Sequence, residues 1–231
     1  MKKTIITLLA ICGVAAAETV TLTMPGTANN GGHGSISAEA AITTFANSAD
    51  GGYMFNNGGI VNPADSFDEG ILTTTDGITS LTLAPRTGAG GSGEAIVLSG
   101  SNLIDYSVDS FTFGIASSSC TSTADIALTL AVIAKSGNGW SVVEKETGSL
   151  TLNSGAELTL TLSQSIDWSS SYKVVAVIDN TAKTLGGGGS PTYTMTGITM
   201  SAVATPVVPE PTTATLSLLA LCGLAARRRR H

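Results

Sequence analysis

The sequence predicts an all-β protein: one antiparallel, jelly-roll-like β-sandwich between an N-terminal signal peptide and a short C-terminal hydrophobic helix. Three observations predict this. Apolar and polar residues alternate along much of the chain, which is the period of a half-buried strand. Threonine and valine are frequent in these segments, as they are in pleated sheets. Glycine-rich breaks such as RTGAGGSG and GGGGS separate the segments, at a spacing typical of sandwiches.

Residues 1–17 are predicted to be a secretory signal peptide. A short basic start is followed by an apolar run at residues 4–14 and then by three alanines, which is the pattern that signal peptidase recognises. The apolar run is far shorter than the roughly 20 residues that span a bilayer. We expect cleavage after Ala17, with Ala15 and Ala17 as the recognised small residues. Cleavage as a lipoprotein at Cys12 is disfavoured, because Ile11 stands where a small residue is needed.

Residues 18–204 are predicted to form the sandwich. The segment DIALTLAVIAKSGNGWSVVEKE predicts a hairpin that turns at residues 136–139. SISAEAAITTFA fits either a short helix or a strand, and the serine-rich sequence around Cys120 predicts a turn. Alternation places four sets of apolar residues on single strand faces: Val20, Leu22 and Met24; Phe111, Phe113 and Ile115; Ile126, Leu128, Leu130 and Val132; and Leu158, Leu160 and Leu162.

The end of the chain predicts a linker at 205–211, a short transmembrane helix at 212–226 and a basic cytoplasmic tail at 227–231. The hydrophobic segment carries no charge over 15 residues, which makes a helix of about 22 Å against a hydrocarbon core of about 30 Å. Local thinning of the bilayer would accommodate it. Basic residues stay on the cytoplasmic side, so the body would lie outside. The residues that fix this orientation are Arg227, Arg228, Arg229 and Arg230.

The same region carries a motif. Val208, Pro209, Glu210 and Pro211 precede the hydrophobic run and the arginine cluster. Together with the signal peptide, this order resembles the PEP-CTERM sorting signal of Gram-negative bacteria. The resemblance implies processing by signal peptidase and an exosortase, a transient stay in the cytoplasmic membrane, and release to the cell surface or extracellular matrix, often alongside exopolysaccharide. It covers only the two ends and implies no activity for the body. No LPxTG motif is present.

Charge and cysteine content restrict the partners and the chemistry of the body. Of 17 acidic residues only Glu210 lies outside residues 18–204, and of 11 basic residues only five lie inside, so the body carries a net charge of −11. This argues against nucleic acid as a partner. Its 187 residues suffice for one domain with a core. Cys120 is the only cysteine between the two signals, so no internal disulfide is expected.

Catalytic signals are sparse, and we expect no enzyme. His33 is the only histidine of the body, with no G-x-S-x-G motif beside it and too few histidines and cysteines for a zinc site. A glycosidase needs two facing carboxylates. The carboxylates considered for that role are Asp65, Asp68, Glu69, Glu94, Asp105 and Asp109.

A calcium ion is the one cofactor that the sequence suggests. The polar stretch NSADGGYMFNNGGIVNPADSFDEG offers Asp50, Asp65, Asp68 and Glu69 as hard oxygen ligands. The spacing matches no known calcium loop, and Asn, Asp and Gly are also the residues of ordinary turns.

The strand pattern over about residues 105–204 resembles the galactose-binding-like jelly roll of many carbohydrate-binding modules, and a concanavalin-like sandwich is the second candidate. Three functions follow. The first is a non-catalytic surface or matrix protein with a structural or interaction domain. The second is a carbohydrate-binding module for exopolysaccharide or host glycan, which would need exposed aromatic residues to stack on sugar rings. The third is a small glycoside-active enzyme. The aromatic candidates are Tyr53, Phe55, Trp140 and Tyr193.

Overall fold

The computed structural model describes residues 15–25, 28–29, 36–56, 71–83, 92–120, 126–150, 155–179 and 193–207. These residues form a helix, α1 (Ala38–Thr44), and the following strands: β1 (Glu18–Thr21), β2 (Ala28–Asn29), β3 (Gly51–Asn56), β4 (Ile71–Thr75), β5 (Ile78–Leu83), β6 (Ser92–Leu98), β7 (Tyr106–Cys120), β8 (Ile126–Ser136), β9 (Gly139–Leu150), β10 (Ala156–Asp167), β11 (Tyr172–Asp179) and β12 (Tyr193–Pro206). Two short 3-10 helices cover Phe45–Asn47 and Ser101–Leu103.

The strands form two sheets that pack as a sandwich. The first sheet has the order β10-β7-β12-β5-β4, with β1 also paired to β12. The second has the order β2-β3-β6-β11-β8-β9. The strand pairs are antiparallel apart from the two-residue β2, which runs parallel to β3. The predicted all-β, antiparallel sandwich is therefore confirmed for the described residues.

The main core lies between the two sheets and follows the predicted alternation. Phe111, Phe113 and Ile115 of β7 are buried there, facing residues such as Leu128 and Leu130 of β8. Because side chains alternate across a strand, the intervening residues of β7 point away from this core.

A second apolar cluster lies on the outer face of the second sheet, under α1. Ser37 caps this helix, since its Oγ accepts a hydrogen bond from the amide of Ala40. Ala41 and Ile42 are buried against the sheet. The sequence SISAEAAITTFA, which fits either a helix or a strand, therefore contains a helix. The apolar face of this helix covers one side of the sandwich.

The β8–β9 hairpin was predicted correctly. Ser136 pairs with Gly139 across the turn, and Gly137 has a positive φ of 59°, a conformation that glycine adopts without strain. This two-residue turn connects the longest hairpin of the second sheet, so β9 forms its edge.

Two other predictions were wrong. Cys120 was expected in a turn, but it ends β7 and pairs with Tyr193 of β12. The serine-rich sequence before it continues the strand because β12 and β7 pair along almost their whole length. Gly51–Asn56 was expected in a polar loop, but it forms β3, with its aromatic residues buried.

The start of the first strand and the residue after the last strand lie at the same end of the sandwich, which we call the exit end. It is formed by Glu18, which begins β1, by the turn at residues 104–105 and by Val207. Glu18 pairs with Ala204, and the amide of Val207 donates a 2.7 Å hydrogen bond to the Asp105 carbonyl. The last strand therefore takes in the first two residues of the segment predicted as a linker.

Candidate functional site

Of the predicted processing signals, only the signal-peptidase site lies within the described residues. Ala15, Ala16 and Ala17 have no regular structure, and Ala16 and Ala17 are exposed, directly before β1 begins at Glu18. A cut after Ala17 would thus leave the sheet intact. The sorting motif at 208–211, the hydrophobic segment at 212–226 and the arginine cluster lie outside the described residues. Within the described ranges, no helix is both long and apolar enough to cross a membrane.

Of the calcium candidates, only Asp50 is described. Its carboxylate accepts hydrogen bonds from the Ser99 amide at 2.9 Å and the Ser99 Oγ at 2.7 Å. It fixes the start of β3 to the end of β6. No group of three or more His, Cys, Asp or Glu side chains suited to a metal occurs in the described part of the chain. Asp65, Asp68 and Glu69 lie outside that part, so calcium binding stays a prediction.

Asp50 also borders a small cleft that opens beside β1. Its volume is about 70 Å³, and it is lined by Leu22, Thr23, Asp50, Leu98, Gly100, Ser101 and Asn102. Ligand pockets usually measure about 300–1,000 Å³. The cleft is therefore too small for a sugar ring and would hold only a few water molecules.

The aromatic residues proposed for stacking on sugars are mostly buried. Tyr53 and Phe55 are 3% and 2% exposed. They point into the cluster under α1, where Tyr53 stacks on Phe45 with ring centroids 4.9 Å apart. Trp168, which sequence reasoning did not single out, is also buried and donates its indole N–H to the Ser99 carbonyl at 2.9 Å. Of Tyr193, only the backbone is described.

Trp140 is half-buried and is used within the fold. Its indole N–H donates to Asn47 Oδ1 at 2.9 Å, and the Lys173 ammonium lies 5.4 Å from its ring centroid. Lys173 also donates to the Ser48 carbonyl at 2.8 Å. Partial burial lowers the pKa of Lys173, and the charge of Asp50 opposes this shift. These contacts fasten the chain after α1 to the second sheet, and they occupy one face of the ring.

Of the carboxylates considered for catalysis, Asp65, Asp68 and Glu69 lie outside the described residues, and the three described ones, Glu94, Asp105 and Asp109, are not brought together. Glu94 lies on β6 with Ile96 and Leu98, facing the main core, and is fully buried. Neither of its carboxylate oxygens has a hydrogen-bond partner. Desolvation by burial raises the pKa of Glu94 well above its usual value. Asp105 and Asp109 instead lie at or near the exit end and are exposed or partly exposed.

A different feature dominates the surface of the first sheet, and sequence reasoning did not identify it. Its outer face carries rows of serine and threonine that cross the strands, which we call the hydroxyl face. One row crosses β10, β7, β12 and β1 as Thr159, Thr112, Ser201 and Thr21. A second row comprises Thr161, Ser110, Val203 and Thr19, in which the apolar Val203 stands between the two hydroxyl residues of β7 and β1. The other rows comprise Ser117, Thr196, Ser80 and Thr73; and Ser119, Thr194 and Thr82.

The hydroxyl face is regular and partly cross-linked. Neighbouring strands are about 4.8 Å apart, and same-face residues along a strand are about 6.8 Å apart. Thr112 Oγ1 and Thr159 Oγ1 are hydrogen-bonded at 2.9 Å. Every described side chain of these rows is exposed or half-buried. Among the described residues, α1 packs on the second sheet only, so this face is uncovered by a helix.

Comparison with known proteins gives structural likenesses only. The sequence matches no protein-family model and no curated protein. The fold is similar to a xylan-binding module of family CBM15 (11% identity, 81% of this chain and 97% of that chain, TM-score 0.37). It is also similar to a structure titled "CBM4 structure and function" (14% identity, 70% and 93%, TM-score 0.35). A third is the C-terminal family 22 carbohydrate-binding module of Clostridium thermocellum Xyn10B (15% identity, 72% and 94%, TM-score 0.33). Likenesses this distant give no information on a ligand of this chain.

Proposed function

We propose that the chain is an exported, exosortase-processed protein of the cell surface or extracellular matrix, with a non-catalytic β-sandwich that binds polysaccharide on its hydroxyl face. The observation that carries the binding proposal is the outer face of the first sheet, which no helix of the described residues covers and which carries rows of hydroxyl groups. Signal peptidase, the exosortase and, transiently, the cytoplasmic membrane are the partners in processing.

The export route is supported by the fit between the signals and the fold. The first strand begins directly after the predicted signal-peptidase site, and the last strand ends two residues before Val208, the first residue of the sorting motif. Removal of both signals would therefore leave every described strand in place.

A non-catalytic role is supported by the placement of the described carboxylates. Glu94 is fully buried in the core, so a substrate cannot reach it. The cleft at Asp50 is too small for a sugar. A glycosidase site needs two carboxylates that flank a bound sugar, and Glu94 offers no such pair.

The small free energy of a single hydroxyl–hydroxyl hydrogen bond favours a polymer over a small sugar as the ligand. One such bond contributes about 0.5–1.5 kcal/mol net, whereas even millimolar affinity requires about 4 kcal/mol. Several hydroxyl positions must therefore be engaged together, along a strand or across a row. The body is acidic, and Glu157 lies exposed on the same face, which favours a neutral polysaccharide over an acidic one.

The proposal is tested by affinity electrophoresis in gels containing neutral polysaccharides, supported by a glycan array. The variant Thr112→Val/Thr159→Val removes a hydrogen-bonded pair from the hydroxyl face. Its matched control is Thr129→Val/Thr147→Val, because that pair forms the same cross-strand bond, 3.1 Å long, on the second sheet. We expect the first variant to lose retardation and the control to keep it.

Equal behaviour of the two variants would refute the assignment of the site to the hydroxyl face. Binding to no glycan would leave the domain with a structural or protein-interaction role instead. Release of reducing sugar from a bound polysaccharide would show an enzyme.

A further inference from the structure

The exit end is joined very closely to the predicted membrane segment. Val207 is held to the sheet by its hydrogen bond to the Asp105 carbonyl. Thr212, the first residue of the hydrophobic run, follows five residues later. Five fully extended residues span at most about 18 Å. The exit end therefore stays within about 18 Å of the hydrocarbon region while the tail is attached.

About a third of that distance lies within the lipid headgroups. Each headgroup layer is about 5–7 Å thick, the difference between a bilayer of about 40–45 Å and its core of about 30 Å. At most about 11–13 Å then remains for water between the headgroups and the exit end. The sheet itself is far longer, since β7 has 15 residues and extends about 50 Å.

Three large apolar side chains are exposed at the exit end or beside it. Ile104, in the turn before β7, is 48% exposed, and Val207 is 45% exposed. Val203, on the outer face of β12 and four residues before Val207, is 37% exposed. Apolar side chains next to a membrane insertion point favour the interfacial region of the bilayer.

We propose that the exit end, through Ile104, Val203 and Val207, rests on the outer surface of the cytoplasmic membrane while the C-terminal segment is attached. This inference rests on the proposed membrane anchoring. The occupant of the apolar surface is lipid, because the chain that leaves this surface enters the hydrophobic run within five residues.

The acidic residues at the same end determine which lipid fits. Glu18 and Asp105 are exposed there, and Tyr106 donates a 2.8 Å hydrogen bond from its hydroxyl to Glu18 Oε1. Two carboxylates beside the apolar side chains are repelled by an anionic surface and not by a zwitterionic one. Phosphatidylcholine vesicles are therefore the appropriate probe.

The experiment places a spin label in the turn before β7, at the exit end, and, as a matched control, at the opposite end of β7. The full chain, with Cys12, Cys120 and Cys222 replaced by serine, is reconstituted with its tail into phosphatidylcholine vesicles. Labels are attached at Ile104→Cys and Ser119→Cys. Both parent residues are exposed, and 15 residues separate them along the chain. Collisions with oxygen, which concentrates in lipid, are compared with collisions with a water-soluble nickel chelate.

We expect the label at 104 to collide mainly with oxygen and the label at 119 mainly with nickel. A chain that inserts but shows equal nickel access at both positions overturns the contact with lipid while leaving the anchoring intact. A chain that remains outside the vesicles overturns the anchoring and the contact together. A cooperative melt of both labelled chains confirms that each is folded.

Discussion

Replacing Glu94 by methionine should stabilise the domain. The carboxyl group lies in the main core with neither oxygen hydrogen-bonded, beside Gly52 of β3. A methyl group at position 52 would collide with Glu94 Oε1 and approach Leu72. The carboxyl group thus occupies the space that Gly52 leaves open. Methionine is unbranched and flexible, so it can fill the same space without a polar atom that needs a partner.

The magnitude follows from the cost of an unpaired polar group. A buried group without its hydrogen bonds costs about 1–3 kcal/mol, and more when it is charged. We therefore expect Glu94→Met to raise the free energy of unfolding by about 2 kcal/mol under acidic conditions, where the carboxyl is neutral. For a domain of this size, that raises Tm by about 4–8 °C.

The same residue should make stability depend on pH. Burial raises the folded-state pKa of Glu94 above its unfolded value of about 4.3, so the folded chain holds this proton more tightly. Its contribution is then constant below the unfolded pKa. As pH rises from there towards the folded pKa, stability falls by up to about 1.4 kcal/mol per pH unit. Above the folded pKa, the loss of stability has reached its full value and no longer changes with pH.

Thermal melts of Glu94→Met, Glu94→Gln and the parent at several pH values separate the two effects. Glutamine keeps an unpaired polar group but cannot ionise, so it should gain stability only at higher pH. Glu157→Gln changes an exposed glutamate and should change Tm little at any pH. An unchanged or lower Tm for Glu94→Met would refute the reasoning, because it would show that the carboxyl is paired in solution.

Three further outcomes are expected. Trp140→Ala should lower the free energy of unfolding by about 2 kcal/mol in a denaturant titration. This is less than the loss of about 3–5 kcal/mol for a fully buried tryptophan, because the Trp140 ring is half-buried beside Lys173. A loss below about 0.5 kcal/mol would contradict this. Replacing Pro209 and Pro211 by alanine should leave the chain uncleaved in the membrane of a host with the cognate exosortase; native surface protein that retains the arginine cluster would contradict a sorting signal. Residues 18–207 should fold in reducing buffer with β-type circular dichroism and a cooperative melt, and a strict need for calcium would instead support a metal site.

The fold class was predictable because alternation reports burial directly. In β7, β8 and β10, the residues that the sequence placed on one face are those that enter the main core, as Phe111, Leu130 and Leu160 show. The turn at 136–139 was predictable for a similar reason, since few sequences other than those with glycine fit a tight hairpin turn.

The first half of the body was less predictable because its signals depend on packing. In GGYMFN, glycine and asparagine suggest a turn, yet the segment forms β3 beside β6. Gly51 and Gly52 are both buried there, and Gly52 makes room for Glu94. A sequence shows that glycine permits a turn, but not that a neighbouring side chain requires its small size.

The burial of Glu94 could nevertheless have been predicted from the sequence. It stands two residues before Ile96 and four before Leu98, so it shares their face of β6, and those two residues belong to the main core. An argument from charge alone places a glutamate on the surface, and that expectation directed attention to a catalytic carboxylate. Here the period of the strand was the better guide, because the direction of a side chain is fixed by the backbone.

The residue patterns of the strands also explain why α1 covers the second sheet whereas the first sheet exposes hydroxyl groups. Continuous apolar runs occur in β6 (AIVL), β8 (LAVIA) and β11 (VVAVI), and such runs indicate strands buried on both faces. These three are neighbours in the second sheet, whose outer face packs under α1. In β10 (LTLTLS) and in the first part of β12 (YTMT), apolar residues alternate with threonine or serine, which indicates a face left to solvent. The helix cover and the hydroxyl face are therefore two consequences of one sequence pattern, and a face on which serine and threonine predominate is the surface on which we expect a polar ligand to bind.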